Sequence, residues 1–189
     1  MPQKEFFVHD QALVESDLIG EGTRIWAFAH VMKEARIGKD CNIGDHCYIE
    51  SDVIIGDHVV IKNGVSIWNR VRIEDNVFIG PGAIFINDPY PRSKVYLEEY
   101  VATYVKKGAS IGANATLMCG ITVGEYSMIG AGSVVTRAVP PFAIVYGNPA
   151  KVRGYVCRCG KKLDISTPNV RCVCGQLYCF SSDEGVASL

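Results

Sequence analysis

An aliphatic side chain returns at every sixth position over most of this 189-residue chain. Eleven such residues form a first run, and five more form a second run after an interruption. They are Ile19, Ile25, Val31, Ile37, Ile43, Ile49, Ile55, Ile61, Ile67, Ile73 and Ile79, then Val105, Ile111, Leu117, Val123 and Ile129. A small or β-branched residue follows four positions after each of them. Because an α-helix repeats about every 3.6 residues and a strand every two, neither explains this period.

A period of six is typical of short strands joined by tight turns and wound into a parallel β-solenoid. Three hexads make one triangular coil, so residues eighteen apart stack at about 4.8 Å, the spacing of hydrogen-bonded strands. The repeat predicts an all-β fold of at least five coils. Cys41 and Cys47 fall on inward positions, where they act as small buried hydrophobes.

The stretch IFINDPYPRSK, residues 84–94, interrupts the repeat. We expect a loop from about Asp88 to Tyr104, rich in proline, tyrosine and charge. Loops placed by rigid scaffolds tend to carry function, which favours an ordered lid or an arm that bridges subunits. The alternative is a clamp between subunits that does not contact ligand.

A polar column is expected to end at this loop. Counting back eighteen residues at a time from Asn87 gives Asn69, Ser51 and Lys33. Each lies two residues past an inward position, so we expect the column to point outward from one flat face. Asn69 should then lie about one strand spacing below Asn87.

Four segments point to a family: TRIWAFAHV, NDPYPRSK, VKKGASIGANATLMCG and VPPFAIVYGNPAKV. With the hexads, over roughly residues 8 to 153, the chain resembles the hexapeptide-repeat nucleotide-sugar N-acetyltransferases. The resemblance implies a left-handed β-helix, a homotrimer with active sites between subunits, and acetyl-CoA as co-substrate. NDPYPRSK is most similar to the branch that acetylates dTDP-3-amino-3,6-dideoxyhexoses; a UDP-linked 3-amino uronate is the alternative acceptor. Synthesis of cell-surface polysaccharide, such as lipopolysaccharide O-antigen, is the implied setting.

The resemblance also implies the catalytic residues. Asn87 and Asp88 hold the sugar amine beside the thioester, and Asp88 or the departing thiolate takes up the proton. The family more often has an acidic residue where this chain has Asn69. An amide there can hold a hydroxyl or an amine, but it cannot act as a base.

Five residues are assigned to the sugar nucleotide. Arg92 suits the pyrophosphate because its planar fork matches phosphate oxygens, although a solvated loop charge is the alternative. Tyr90, Lys94 and Trp68 complete this set with His30. We expect His30 at a corner, where it reaches the cleft from a neighbouring subunit or makes a structural hydrogen bond.

Five further residues are assigned to CoA. Ala113 and Ala131 are eighteen apart, and small residues there leave backbone groups open to the pantetheine arm. In the family, the GNPAKVR segment meets the adenine and phosphates, with Pro149, Lys151 and Arg153 at the matching positions. The alternative for this segment is a plain cap on the end of the prism.

After Arg153 the hexads give way to two CxCG units. Their four thiols, Cys157, Cys159, Cys172 and Cys174, predict a structural Zn²⁺ site, because a segment this short needs a staple. Reduced free thiols or a partly disordered tail are the alternatives. Cys179 is a substitute ligand or a spare thiol.

We therefore divide the chain into an N-terminal cap at 1–18, a β-helix at 19–153, a cysteine-rich appendage at 154–181 and a tail at 182–189. The net charge is −1 with dispersed lysines and arginines, which argues against a nucleic-acid partner. No apolar run suggests a membrane span, and the N-terminus has no signal-peptide core, so we expect a cytoplasmic protein.

Two other classes are disfavoured. A β-helix carbonic anhydrase needs three histidine ligands, including a close pair, and the four histidines here offer no such pair. A non-catalytic scaffold has no need for the NDPYPRSK loop together with the GNPAKV cap. An antibiotic or serine acceptor remains a variant within the acetyltransferases.

Overall fold

The computed structural model of the chain describes residues 6–181 and 185–189. Within these residues the secondary structure consists of strands, and no helix is long and apolar enough to cross a membrane. The strands are β1 Phe7–Val8, β2 Leu13–Val14, β3 Arg24–Ile25, β4 His30–Val31, β5 Arg36–Ile37, β6 Asn42–Ile43, β7 Tyr48–Ile49, β8 Ile54–Ile55, β9 Val60–Ile61, β10 Ser66–Ile67, β11 Val71–Ile73, β12 Phe78–Ile79, β13 Ile84–Phe85, β14 Thr103–Val105, β15 Ser110–Ile111, β16 Thr116–Leu117, β17 Thr122–Val123, β18 Met128–Ile129, β19 Val134–Val135, β20 Ala143–Gly147, β21 Ala150–Tyr155, β22 Asn169–Arg171, β23 Leu177–Ser181 and β24 Gly185–Ser188.

Three parallel sheets form the faces of a triangular prism. Sheet A has the order β1-β3-β6-β9-β12-β15-β18-β20-β21, sheet B runs from β2 through β4, β7, β10, β13 and β16 to β19, and sheet C runs from β5 through β8, β11 and β14 to β17. Ile25 pairs with Ile43, and Ile43 pairs with Ile61, which is the predicted stacking of residues eighteen apart. The parallel β-helix of hexapeptide coils is confirmed.

The inward positions fill the prism. Ile43, Ile61 and Ile67 are fully buried, and Cys41 and Cys47 are buried beside them, as predicted. Burial raises the pKa of both thiols, so they stay protonated at neutral pH.

Glycine after an inward residue allows adjacent coils to pack closely. A Cβ atom added to Gly38 would lie 2.5 Å from the carbonyl carbon of Gly56 in the next coil. No side chain fits there without moving backbone, which explains the repeated Ile-Gly pairs.

Each strand of two residues ends in a turn. The inward residue is the second of the pair, so the positions two and three residues later already lie in the corner of the prism. At the corner between sheets B and C, which we call the B–C corner, Glu34, Asp52 and Arg70 have φ of 71°, 63° and 65°. The polar column of Lys33, Ser51 and Asn69 therefore lies along this corner, and its prediction on a flat face is wrong.

The prism begins earlier and contains more coils than the repeat predicted. β1 pairs in parallel with β3, and β2 pairs with β4, so the first coil starts at Phe7 instead of at residue 19. Sheet A carries eight parallel strands up to β20. Of the cap expected at 1–18, residues 6–18 are part of the β-helix, and residues 1–5 lie outside the described residues.

The insertion is also shorter than expected. Ile73 pairs with Val105, thirty-two positions on instead of eighteen, so fourteen residues are added to that coil. β14 starts at Thr103, which places Thr103 and Tyr104 in sheet C and ends the loop at Ala102.

The last parallel strand, β20, turns back through a hairpin to the antiparallel strand β21. A bulge at Arg153 interrupts this pairing, since Val145 faces Val152 while Ile144 faces Gly154. Beyond it, β22, β23 and β24 form a small antiparallel sheet. Residues 185–188, expected in a tail, belong to this sheet, whereas residues 182–184 of that tail lie outside the described residues.

Candidate active site

The B–C corner brings the predicted catalytic residues together. Ser66 pairs with Ile84, and Phe85 pairs with Leu117 in the next coil. Asn87 therefore lies one coil above Asn69, at a spacing of about 4.8 Å. The inserted loop leaves the prism at this point, so the break in the repeat and the polar corner are one feature.

Asn69 presents a hydrogen-bond acceptor that the protein does not satisfy. Within residues 6–181 and 185–189, its Oδ1 and the Nε of Arg70 are the buried side-chain polar atoms without a hydrogen-bond partner. The backbone of Asn69 is fixed from below, because its N–H donates to Oε2 of Glu50 at 2.7 Å. A side-chain amide on a fixed backbone, with a buried oxygen that has no partner, is suited to accept a hydrogen bond from an amine or a hydroxyl of a ligand.

Asp88 is partly committed to the loop. Its Oδ1 accepts a hydrogen bond of 2.8 Å from the backbone N–H of Tyr90, which forms an Asx turn at the start of the insertion. The carboxylate also lies close enough to Cys119 to raise the pKa of that thiol, although burial is the larger cause. One carboxylate oxygen thus shapes the loop, and the other remains for substrate or proton.

Loop residues contact the prism at several points. The guanidinium of Arg70 binds Glu99 at 2.7 Å, with the carboxylate largely exposed. Val101 of the loop packs against Gly120, and the hydroxyl of Thr103, the first residue of β14, accepts a hydrogen bond of 3.2 Å from the N–H of the same glycine. These contacts hold the end of the loop on the B–C corner.

The tip of the loop projects into solvent. Tyr90 and Tyr96 are 84% and 81% exposed, and an antiparallel bridge joins Arg92 to Val95. Arg92 donates to the carbonyl of Pro91 at 2.9 Å, and Lys94 takes a φ of 61°. Arg92 and Lys94 are exposed as well, and a substrate role for Arg92, Tyr90 and Lys94 stays a prediction.

Trp68 and His30 lie on or beside sheet B. Trp68 immediately precedes Asn69, packs against the core and tilts over Tyr48 with ring centroids 5.3 Å apart. His30 is on β4 and not at a corner, where its Nε2 lies 2.8 Å from Oε1 of Glu15. The structural hydrogen bond of His30 is thus confirmed, and this side chain lies three coils below Ile84, about 14 Å away.

Above the loop, the B–C corner continues with residues that the sequence analysis did not assign. Leu117 pairs with Val135, so Cys119 stands one coil above Asn87 and Arg137 two coils above it. Arg137 lines a cavity of about 340 Å³ with Lys151 and a neighbouring one of about 300 Å³ with Pro149 and Lys151. Counting upward across the insertion, as well as downward from it, would have found both residues.

The other predicted CoA residues lie elsewhere. The bulge separates Arg153 from Lys151. The guanidinium of Arg153 lies over the ring of Tyr146, with its central carbon 5.6 Å from the ring centroid. Ala113 and Ala131 stack at the corner between sheets A and B, which is a different corner from that of Asn87. The carbonyl of Ala113 accepts a hydrogen bond of 2.8 Å from Gly132, so the expectation that its carbonyl stays open is wrong.

The four predicted metal ligands lie together. The sulfur atoms of Cys157, Cys159, Cys172 and Cys174 are all within 4.8 Å of one another. Sγ of Cys157 is 3.5 Å from Cys174, and Sγ of Cys159 is 3.6 Å from Cys172. Four sulfurs around one Zn²⁺ at about 2.3 Å lie about 3.8 Å apart, so this arrangement fits a tetrahedral zinc. Cys179 is exposed on β23 and does not belong to the group.

The two CxCG units adopt matching turns. In the first, the N–H of Gly160 donates to the carbonyl of Cys157 at 2.8 Å, and in the second Gly175 donates likewise to Cys172. Both glycines have a positive φ, 84° and 93°, which explains why glycine follows each pair of cysteines. Burial alone would raise the pKa of Cys157, but hydrogen bonds to its sulfur lower it to about 6, which favours the thiolate that a metal binds.

The repeat and its geometry match a known family model. Residues 18–51, 52–87 and 102–137 match the model described as bacterial transferase hexapeptide (six repeats), which together is more than half of the chain. The chain belongs to this family. The hexapeptide transferase is 54% identical over 182 residues to the dTDP-3-amino-3,6-dideoxy-α-D-galactopyranose 3-N-acetyltransferase of Aneurinibacillus thermoaerophilus, covering 96% of this chain and 94% of that protein.

Solved structures show the same fold. The acetyltransferase domain of PglB from Neisseria gonorrhoeae is 24% identical, with a TM-score of 0.54, over 78% of this chain and 57% of that one. A mutant of the GDP-perosamine N-acetyltransferase of Caulobacter crescentus, solved with CoA and GDP-perosamine, is 22% identical, with a TM-score of 0.51, over 80% and 55%. The hexapeptide transferase spans little more than half of each of these two chains.

Proposed function

We propose that this hexapeptide transferase moves an acetyl group from acetyl-CoA to the 3-amino group of a dTDP-linked 3-amino-3,6-dideoxyhexose. The observation that carries the proposal is the B–C corner, where Asn87 and the unpaired acceptor of Asn69 meet the start of the loop. The relative from Aneurinibacillus thermoaerophilus, whose name states this reaction, supports the choice of acceptor.

The chemistry needs a neutral amine and a stabilised oxyanion. Electron-withdrawing oxygens lower the pKa of an amino sugar towards about 8, so a useful fraction is neutral at pH 7. The amine nitrogen attacks the thioester carbon, the C–N bond forms, and negative charge collects on the carbonyl oxygen. When the C–S bond breaks, CoA leaves as a thiolate, and the ammonium proton passes to it or to Asp88.

The chain's own residues orient these groups. In this proposal, Oδ1 of Asn69 accepts a hydrogen bond from the sugar, and the side-chain amide of Asn87 donates one to the oxyanion. A strong base at position 69 is not needed when the attacking amine is already neutral.

The upper part of the B–C corner supplies a path for CoA. Two coils separate Asn87 from Arg137, a rise of about 10 Å, and the cavity with Lys151 lies beyond. The pantetheine arm would run past Cys119 and bring the phosphates to Arg137 and Lys151, whose positive charges suit them.

A thiol-release assay tests the proposal. The purified protein is incubated with acetyl-CoA and dTDP-linked 3-amino sugars, with a UDP-linked 3-amino uronate and non-sugar amines as comparison acceptors. We expect release with the dTDP-linked sugars; release only with the uronate would move the acceptor to the alternative. No release with any 3-amino sugar would contradict the function.

The Asn87→Ala variant tests the site. Loss of an oxyanion donor should lower kcat about 100-fold or more while the protein stays folded. Asn63→Ala is the matched control, since Asn63 occupies the same turn position one hexad before Asn69 and contacts Asp45 instead. Equal turnover of the two variants would remove Asn87 from the mechanism.

The assembly proposed for this site is a homotrimer. Ala113 and Ala131 lie at another corner of the same chain, so only a second copy can bring them beside Asn87. The exposed Tyr90 and Tyr96 suit an arm seated on that copy. Light scattering should give three times the 20.6 kDa chain mass, and a monomer with full activity would overturn the trimeric site.

The appendage is proposed to hold one structural Zn²⁺. Its four sulfurs match a closed tetrahedral site and leave no position for substrate, so the metal would stabilise the fold and not catalyse. Metal analysis should find about one zinc per chain. Cys172→Ser should lower that content, and Cys179→Ser is the control that should not.

We also propose a cytoplasmic location and a place in cell-surface polysaccharide synthesis, such as O-antigen. Acetyl-CoA and nucleotide-linked sugars are the substrates that support this setting. Fractionation of the producing cells and sugar analysis of a deletion strain test it: a cell surface that keeps its N-acetylated 3-amino sugar would contradict the second part.

A further inference from the structure

Tyr178 connects the cysteine cluster to the prism. It lies on β23, the central strand of the small sheet, and its side chain is fully buried. Its hydroxyl donates to Sγ of Cys157 at 3.1 Å and accepts a hydrogen bond of 3.1 Å from the N–H of Arg158. The hydroxyl is therefore held in place by the backbone of the first CxCG turn and directed at one sulfur.

The ring of Tyr178 makes a second connection. It contacts Phe142 edge-on, with centroids 5.3 Å apart, and Phe142 stacks on Tyr126 at 5.6 Å. Tyr126 and Phe142 occupy successive turns of the corner between sheets C and A, and the ring of Tyr126 covers Gly108 one coil below. The aromatic column of the prism thus continues into the appendage.

The backbone follows the same route. The N–H of Val156 donates to the carbonyl of Phe142 at 2.7 Å, immediately before Cys157. Cys157, Cys172 and Tyr178 share one buried cluster with Phe142, Leu163, Val170 and Val186. So small a cluster cannot remain ordered by apolar contacts alone, so its order depends on a metal bound by the four cysteines.

We propose that Tyr178 is an outer-sphere residue of the metal site and that it couples metal binding to the packing of the last corner of the prism. Its hydroxyl fixes the sulfur of Cys157, as hydrogen bonds around metal ligands commonly do, while its ring holds Phe142. Metal binding then orders the end of the prism that carries the hairpin of Pro149 and Lys151. This inference rests on the proposed zinc site.

Zinc affinity of the Tyr178→Phe variant tests the outer-sphere role. The change keeps the ring and removes the hydroxyl, and we expect zinc to bind about 10- to 100-fold more weakly in competition with a chromophoric chelator. Tyr155→Phe is the matched control, because Tyr155 packs against the same cluster and, among the described residues, its hydroxyl makes no hydrogen bond to a cysteine; zinc affinity should stay within about twofold of wild type. Equal affinity of both variants and the wild type would overturn the outer-sphere role.

Hydrogen exchange of the unaltered protein tests the coupling without any variant. Removing zinc with a chelator should speed exchange at the N–H of Val156 and leave that of Gly44, bonded within the prism at 2.8 Å, unchanged. Unchanged exchange at Val156 would overturn the coupling. A protein that neither contains nor takes up zinc would instead refute the zinc site itself, so the two failures are distinguishable.

Discussion

Replacing Asn69 by alanine should weaken the enzyme without weakening the fold. The side-chain oxygen of Asn69 is buried and unpaired, so it contributes a penalty to the free protein that alanine removes. Its φ is not among the positive values of the corner, where Arg70 takes that conformation instead, so alanine fits the backbone. The N–H that donates to Glu50 is kept, because it belongs to the main chain.

The magnitudes follow from the unpaired oxygen. A buried acceptor without a partner costs about 1–3 kcal/mol, which the loss of side-chain packing partly offsets. We therefore expect the free energy of unfolding to be unchanged or to rise by up to about 1 kcal/mol, a Tm increase of at most roughly 2–4 °C. The hydrogen bond to the sugar is worth about 0.5–1.5 kcal/mol, so kcat/KM for the amino sugar should fall roughly 2- to 10-fold.

Two assays on the same preparations measure this trade. Urea unfolding gives the stability, and thiol release at varied sugar concentration gives kcat/KM. Asn63→Ala is again the control: its amide donates to Oδ2 of Asp45 at 3.1 Å, so we expect a small loss of stability and unchanged kcat/KM.

The opposite pattern would refute the reasoning. If Asn69→Ala lowers the free energy of unfolding by about 1 kcal/mol or more and leaves kcat/KM intact, the amide is a structural element of the corner. Its oxygen would then not be a contact for the sugar.

Three further predictions address the interior, the surface charge and the thiols. Ile67→Ala should cost about 2–5 kcal/mol of unfolding free energy because Ile67 is fully buried, whereas Ile54→Ala, on an outward side chain that is 41% exposed, should cost far less; urea unfolding measures both. A hydrogen bond from Lys106 holds the pKa of Glu74 below its ordinary 4.5, so the carboxylate stabilises the fold above pH 4.5 and loses this contribution as the pH falls. Glu74→Gln should therefore lower the free energy of unfolding more at pH 7 than at pH 3. An equal loss at both pH values would contradict the ion pair. Iodoacetamide should modify the half-buried Cys119 before the buried Cys41, and bound CoA should slow the modification of Cys119. Peptide mass spectrometry measures both rates, and equal modification of Cys119 with and without CoA would contradict the proposed CoA path.

Most of the prism was predictable because its repeat is so strict. One inward residue every six positions sets the coil length, the core and the eighteen-residue register. The first coil was not predicted because the six-residue spacing of inward residues is interrupted after it. Val8 and Val14 are six apart and lie in β1 and β2, but Ile19 follows Val14 after only five residues. A count that starts at Ile19 therefore treats the preceding coil as a cap.

At the candidate site, the stacking of Asn69 and Asn87 was predictable, but their position on the prism was not. Asn69 and Asn87 stack as the spacing requires, yet they lie in a turn because a strand of two residues ends at the inward position. Arg137 was not predicted because fourteen inserted residues break the eighteen-residue spacing between its coil and the coil of Asn87. The separation of Arg153 from Lys151 depends on a bulge, which the residue pattern does not reveal.

A corner is the place where a repeating prism can accept a loop without losing its strands. β11 and β14 still pair at three positions across the insertion, although fourteen residues intervene. The length-dependent part of the entropic cost of closing such a loop is only about 2 kcal/mol. The Arg70–Glu99 ion pair and the packing of Val101 hold the end of the loop. The side chains of the corner turns do not fill the core of the prism, so Asn69 can keep a buried oxygen without a partner there. Loop and unpaired amide therefore occur together for one physical reason: the corner tolerates both.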